Sequence, residues 1–459
     1  MKGHRQQRSP RNQATWSVAA ALLSAAACSS EAPSDSEPLV YDDAGQHEGQ
    51  LDAATSDAAT PDDAGSDAAA PSADAGLISE CQGDVLSVES ARVRGRSFSA
   101  SAVQNRLDLA IFEPTCGGTR ADNSAQGLAL HRFQTTGEPD AEQPLINLDQ
   151  DSCFITSEPA MLATADGAYG LFFGSTLDGS YDLFYLDSAD LAAPRRITTD
   201  SLHGESAISA TFLAGLPLVA FSREAVDAAA NAAADIVTSR PGYVSRVVVP
   251  ESAGFHATQT ALTSLAGADA SHAGALAWVS DEPTKPGAFL QVLDDQGAAS
   301  GAVSPLTQEH SEGVSLAAGK QGGAVAYAIA TETAQQARFR VVNVDGSVGQ
   351  EVELTANNER VRDLALAHYS TGYVLAYRWL GAGEDQANSI RLMFLDPKGR
   401  VGRTRFVADA AGGNGVQIQV AQDGRLWVTW EESELIPAGP DGGVPQVAAR
   451  IRVARLECP

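Results

Sequence analysis

The sequence predicts an all-β chain: a seven-bladed β-propeller of four-stranded antiparallel blades, closed by an N-terminal strand that completes the last blade. Three observations predict it. The stretch Gly322–Gly349, GGAVAYAIATETAQQARFRVVNVDGSVG, reads as two strands and two turns. AVAYA runs apolar behind a glycine pair, RFRVVNV alternates in the period of a half-buried strand, and Asp345-Gly346 supplies a hairpin turn. The same pattern recurs six times. Aligned on the aromatic residue that closes the first strand of each pair, the series is Phe112, Phe173, Phe221, Trp278, Tyr327, Tyr377 and Trp430. Its steps are 61, 48, 57, 49, 50 and 53 residues, and a repeat of roughly 40–50 residues built of short strands is the signature of a propeller blade.

Naming the strands of each blade A to D from the channel outwards, the aromatic-ended strand is B. Strand C follows as LALHRF, YDLFYLD, DIVTSR, FLQVLD, RFRVVNV, IRLMFLD and ARIRVARL in blades 1 to 7, with blade 3 the poorest match. The turns after C are short and rich in Asp and Gly: Asp294-Asp295-Gln296-Gly297, Asp345-Gly346 and Asp396-Pro397-Lys398-Gly399. Calcium ligation is one use of such acids, but an Asp and a Gly at a hairpin are ordinary turn chemistry. Arg223–Val237 (REAVDAAANAAADIV) is expected as a loop insertion with a helical turn.

Three segments divide the chain: an export signal at 1–27, a tether at 28–79 and the propeller at 80–459. The first carries Lys2, Arg5, Arg8 and Arg11 ahead of the apolar run Ala14–Ala27, too short to span a bilayer. Its ending AAAC resembles the lipobox of bacterial lipoproteins, in which the cysteine is acylated, here Cys28. Ala25 stands where Leu is favoured, so ordinary cleavage after the small-residue run is the competing reading. By the enterobacterial sorting pattern, Ser29 after the cysteine implies the outer membrane. From Ser29 to about Ser79 the composition collapses to Ala, Asp, Ser, Pro, Gly and Thr, with too little apolar surface to offset the entropy of ordering. A membrane-tethered body on a disordered spacer is therefore expected.

The formal charge is −27. Twelve acids and no Lys or Arg lie between Cys28 and Gly76, and 27 bases against 46 acids remain for the body. That balance argues against nucleic acid or an anionic membrane surface as the partner of the folded part.

Setting Cys28 aside leaves four cysteines. The last blade has no fourth strand of its own after strand C, so Val85–Val93 (VLSVESARV) is expected to supply it. This places Cys81 beside Cys458 and predicts a disulfide between them. Cys116 and Cys153 fall in a B-to-C and a D-to-A connection on one face, where a second bridge is permitted.

The segment STLDGSYDLFYLD (Ser175–Asp187) resembles the repeat of periplasmic TolB-type propellers, in which an Asp-Gly turn precedes a strand bounded by Asp. The resemblance covers one blade of seven and implies the fold rather than an activity.

No G-x-S-x-G, H-E-x-x-H, C-x-x-C or phosphate loop occurs. No catalytic residue, metal or cofactor is assigned. One constellation keeps phase with the repeat: His203, His256 and His310, 53 and 54 residues apart, each just before a strand A. Glu158, Glu205 and Glu312 accompany them 15 or 16 residues before their blade's aromatic. The ordinary reading is a solvated channel mouth; the functional one is a ligand site made of His203, Glu205, His256, His310 and Glu312. Long B-to-C connections at Glu113–Gln126, Arg223–Ala234, Leu380–Asn388 and Glu431–Val447 lie on the same face. The function expected is that of a monomeric envelope or cell-surface module binding a protein or polysaccharide. A propeller-type glycosidase or lyase, or a purely structural lipoprotein, are the alternatives.

Overall fold

In the computed structural model, residues 81–458 are described apart from 89–97, 113–125, 141–142, 149–158, 176–181, 226–231, 382–387 and 437–445, and short gaps at 165, 200–201, 332–333, 357–358, 411 and 414. They belong to the compact unit Ala75–Pro459. Short runs of β-branched, aromatic and small apolar residues, punctuated by Gly and Asp, give strands joined by tight turns.

Six antiparallel sheets result. The first joins β2 (Phe98–Val103), β3 (Arg106–Phe112), β4 (Gln126–Phe133) and β5 (Gln143–Leu148), and the second β6 (Ala160–Ala163), β7 (Tyr169–Ser175), β8 (Asp182–Asp187) and β9 (Asp190–Arg196). The third holds β10 (His203–Leu213), β11 (Leu216–Ala225), β12 (Asp235–Ser239) and β13 (Arg246–Val249); the fourth β14 (Ala257–Ser264), β15 (Gly274–Ser280), β16 (Gly287–Leu293) and β17 (Ala299–Thr307). A larger sheet contains two further units. β18 (Ser311–Ala318), β19 (Gly323–Ala330), β20 (Gln335–Val342) and β21 (Val352–Glu353) form the fifth; β22 (Arg360–Tyr369), β23 (Gly372–Leu380), β24 (Ser389–Leu395) and β25 (Val401–Asp409) form the sixth. A parallel pairing of Gln335 with Arg360 joins them.

The remaining sheet draws on both ends of the described chain. β26 (Val416–Val420), β27 (Leu426–Ile436) and β28 (Gln446–Glu457) are completed by β1 (Gln82–Val88), antiparallel to β28 from Gln82 opposite Glu457 to Val88 opposite Ile451. Cys81 and Cys458, just beyond that ladder, are disulfide-bonded with Cα atoms 4.3 Å apart. The expected completing strand and its bridge are therefore present, with the strand starting at Gln82; residues 89–93 lie outside the described residues, as do Cys28, Cys116, Cys153 and Glu158.

All seven register aromatics fall on the second strand of their unit, and all seven expected C segments on the third. Those whose side chains are described are core: Trp278, Tyr327, Phe221 and Trp430 are fully buried. Apolar clusters sit between consecutive units. Phe172 and Phe221 share one between the second and third, Leu290 and Tyr327 one between the fourth and fifth, and Leu392 and Trp430 one between the sixth and seventh. Another joins the last unit to the first, packing Trp427 and Val453 against Phe98 and Leu107.

Two expectations are corrected. Arg223 belongs to β11, opposite Glu205, because the ladder with β10 runs past the aromatic to Ala225 opposite His203. Much of the presumed loop Glu431–Val447 is ladder: Glu431 pairs with Ile451 and Ile436 with Gln446. Its acids suggest a loop, but in the ladder Glu432 is paired with Arg452 of β28 at 2.8 Å.

Side chains on the first strands of four units bond to the neighbouring first strand. Ser99 Oγ accepts from Met161 N (2.9 Å), Gln259 Oε1 from Val314 N (3.3 Å) and Ser315 Oγ from Leu366 N (2.9 Å). Gln417 accepts from Ala100 N (2.7 Å) and donates to Phe98 O (2.9 Å), tying β26 to β2. Strand backbones that have no ladder partner on that edge thus find one in a side chain.

Candidate binding site

A cavity of about 280 Å³ lies where these first strands face one another. It takes lining residues from each of the seven: Ser99, Met161, Ser209, Gln259, Ser315, Asp363 and Gln417 among them. Apart from Asp363 these side chains are uncharged.

The entry to this region is shaped by irregularities in strand A that no periodicity reveals. The register between the first and second strands slips at Ser206/Ser209, Ala257/Gln259, Ser311/Gly313 and Arg362/Ala365. Ala207 and Asp363 take φ of 50° and 51° inside two of these slips. A bulge re-aims the side chains on either side of it, so residues in phase along the sequence need not converge in space.

The five expected ligand residues show this. His203 and Glu205 start β10 opposite Ala225 and Arg223, and Glu205 is 4 % exposed. His256 precedes β14 and turns to carboxylates of two adjacent units: Nδ1 lies 2.5 Å from Asp281 Oδ1 and Nε2 3.5 Å from Glu224 Oε1. The hydrogen bond to Glu224, then that to Asp281, raises the imidazole pKa from 6.5 to about 9 against the opposing effect of burial. Glu224, also bonded by Ser206 Oγ (2.6 Å), is correspondingly lowered, with His256 the main cause. His256 is thus held as an imidazolium at neutral pH. His310 is exposed ahead of β18, while Glu312, inside the Ser311/Gly313 slip, accepts from Gln335 Nε2. None of the five lines the cavity, and among the described residues no group of three or more His, Cys, Asp or Glu is placed to hold a metal ion. The five residues thus lie at or just before the starts of three separate first strands, β10, β14 and β18.

The charged group that does meet the cavity, Asp363, is held by a residue that no motif marks. Arg378 on β23, 1 % exposed, donates from Nε to Asp363 Oδ2 (3.2 Å), from Nη1 to Gly412 O (2.7 Å) and from Nη2 to Glu431 O (2.8 Å). Burial lowers the guanidinium pKa from its ordinary value, and Asp363 opposes that effect. A signal exists in the repeat: Arg378 and Glu431 each follow the strand-B aromatic directly, as Glu113 does in the first repeat, where the other four have Gly174, Ser222, Val279 and Ala328.

On the opposite face the Asp/Gly turns behave as turn chemistry demands. Asp294 Oδ1 accepts from Gln296 N (2.9 Å) and Ala298 N (2.8 Å), Asp396 Oδ1 from Lys398 N and Arg400 N (both 2.8 Å). Gly297, Gly346 and Gly399 sit at φ of 78°, 77° and 82°, a region open to glycine.

No family model matches this chain, and no curated relative matches it. Solved structures do. A puromycin hydrolase S511A mutant complexed with PGG aligns at a TM-score of 0.47 and 14 % identity over 78 % of this chain; the match spans about half of that protein, 52 %. BBS1N in complex with ARL6DN aligns at 0.46 and 10 % identity, covering 83 % of this chain and 98 % of that one. A putative TolB from Agrobacterium tumefaciens aligns at 0.37 and 15 %, covering 68 % and 94 %. Likeness at this distance decides neither architecture nor chemistry; the strand pairing and the cavity between the first strands are the firmer guide.

Proposed function

We propose that residues 80–459 form a closed seven-bladed β-propeller that serves as a binding or scaffolding module, held at the cell envelope by an acylated Cys28 and the acidic spacer 28–79. The observation that carries the reading is the cavity to which the first strand of every unit contributes. The apolar cluster between the last and first units supports closure, as does the Gln417 bridge. Cavity walls of Ser, Thr, Gln and aliphatic side chains suit recognition of neutral, hydrogen-bonding surfaces. Among the lining residues Asp363 is the one carboxylate, and it is ion-paired to Arg378. Glycoside hydrolysis calls for two carboxyl groups in separated protonation states, so binding is favoured over glycosidase or lyase action.

The recognition surface in this proposal is the rim bearing His203, Glu205, His256, His310 and Glu312, and its partner a neutral or cationic envelope protein or a polysaccharide. The test uses full-length protein in detergent-solubilised envelope, with affinity capture read by mass spectrometry and a glycan array run in parallel. Replacing His310 and Glu312 by Ala should weaken capture of whatever the unaltered chain retains. Capture that survives that change but is lost on altering Asp345-Gly346 and Asp396–Gly399 refutes the assignment of the face. A mature N-terminus downstream of Cys28 refutes the anchor.

A further inference from the structure

The seven outer strands are not held alike. β13 buries Val248 and Val249 at 7 % and 1 % exposure and β17 buries Leu306 alone at 2 %, while β25 buries none of its nine residues. In β1, Gln82, Gly83, Asp84 and Val85 are likewise exposed, and Leu86, half-buried, packs on a core cluster; unlike β25, this strand adjoins a disulfide. Its backbone ladder to β28 and the disulfide next to that ladder hold β1 in place beside that contact. The two cysteines differ in the same sense. Cys458 is 7 % exposed in the cluster of Trp430 and Leu456, and its carbonyl accepts from Tyr369 Oη. Cys81 is half-buried, packs on the same cluster and precedes the exposed strand.

We propose that the Cys81–Cys458 disulfide is a redox-released clasp: a dithiol reductant frees β1 from β28 while the other sheets stay folded, leaving the outer edge of β28 as unpaired N–H and C=O groups. In the reaction one thiolate of the reductant attacks a clasp sulfur, forming a mixed disulfide and expelling the other cysteine as a thiolate that takes up a proton. The reductant's second thiol then closes on its own sulfur and releases the second cysteine as a thiol. Two electrons and two protons pass from the dithiol to the clasp. Release is confined to β1 because β28 remains paired to β27 over eleven residue pairs, from Leu426 opposite Leu456 to Ile436 opposite Gln446, and its end stays fixed through Tyr369. An exposed strand without its cross-link has little burial to offset the entropy of ordering it.

The test is hydrogen exchange by mass spectrometry on the full chain, before and after dithiothreitol, and on a Cys81→Ser/Cys458→Ser variant. Reduction should raise exchange in 82–88 at least tenfold and in 451–457 severalfold, while 274–280 and 323–330 keep their protection. The variant should show the raised rate from the outset and no further change with reductant. Unchanged exchange in 82–88 after proven reduction overturns the proposal. Loss of protection throughout the sheets also overturns it, because the disulfide is then a prop of the whole fold. A variant that responds only when dithiothreitol is added assigns the effect to another cysteine, and overturns it as well.

Discussion

Where the fourth unit packs on the fifth, the residue after the strand-B aromatic is Val279, buried in a cluster with Leu290, Leu306, Val325 and Tyr327. Where the sixth meets the seventh, the equivalent residue is Arg378, buried as deeply but bonded to Asp363 and to two carbonyls of the 412–431 region. One junction is dry; the other has an ion pair through its centre beside the cluster of Leu392 and Trp430. Both junctions use the same strand order, but at the wired one Asp363 takes φ of 51° inside the β22 slip, so the ion pair needs a bulge as well as the arginine. The dry junction tolerates changes of shape in proportion to volume lost. The wired one tolerates no unilateral change, because each partner, once desolvated, depends on the other.

Substitution at the wired junction should have the largest effect. Arg378→Met takes from Asp363 its guanidinium and from Gly412 and Glu431 their donors, and is expected to cost about 3–5 kcal/mol in denaturant unfolding. Adding Asp363→Leu should recover part of that loss. A cost below about 1 kcal/mol for the single change would erase the contrast between the junctions. At the dry junction, Leu290→Ala is expected to cost about 2–4 kcal/mol through the cavity it leaves, with no rescue from any second-site charge change.

His256 offers a finer comparison, since its ion triad sits at the rim between the third and fourth units. Its pKa is raised in the folded state to about 9. Its contribution is therefore present in full below the unfolded value near 6.5 and is lost as pH rises through 9. Thermal midpoints of the unaltered protein should fall relative to His256→Gln between pH 6.5 and 9, by the equivalent of roughly 1 kcal/mol after allowance for solvent screening. Parallel curves would mean the triad adds nothing to that junction. The smallest effect is expected at the turns: Asp396→Ala removes two side-chain-to-backbone bonds on an exposed hairpin and should cost on the order of 1 kcal/mol or less.

The register of the strands was legible because it is written in residues whose reason for being there is local. Phe173 to Trp430 mark second strands through burial, Asp294 and Gly297 mark a turn through backbone conformation, and the start of VLSVESARV could be placed because the last unit needed a strand. The convergence of side chains was not legible. His203, His256 and His310 share a phase along the sequence, yet the slips at Ser206/Ser209, Ala257/Gln259 and Ser311/Gly313 reset which way each strand's side chains point. Those slips depend on a neighbouring strand more than 10 residues away, and alternation within one strand carries no trace of them. Arg378 was hidden for the opposite reason. It sits in a segment, YVLAYRWL, whose apolar character reads as ordinary strand, and only comparison of the same position across repeats sets it apart.

The pairing of β1 with β28 also sets a schedule. Cys81 and Cys458 are 377 residues apart, so at ribosomal rates of about 5–20 residues per second the first strand waits roughly 20–75 s for its partner to be made. For that interval Cys81 is a thiol without its mate, on a segment with no sheet to join. Any other cysteine made in between has the first opportunity to react with it. The order of synthesis thus works against the bond that the finished molecule contains, and correct oxidation must come after the last strand rather than alongside the first.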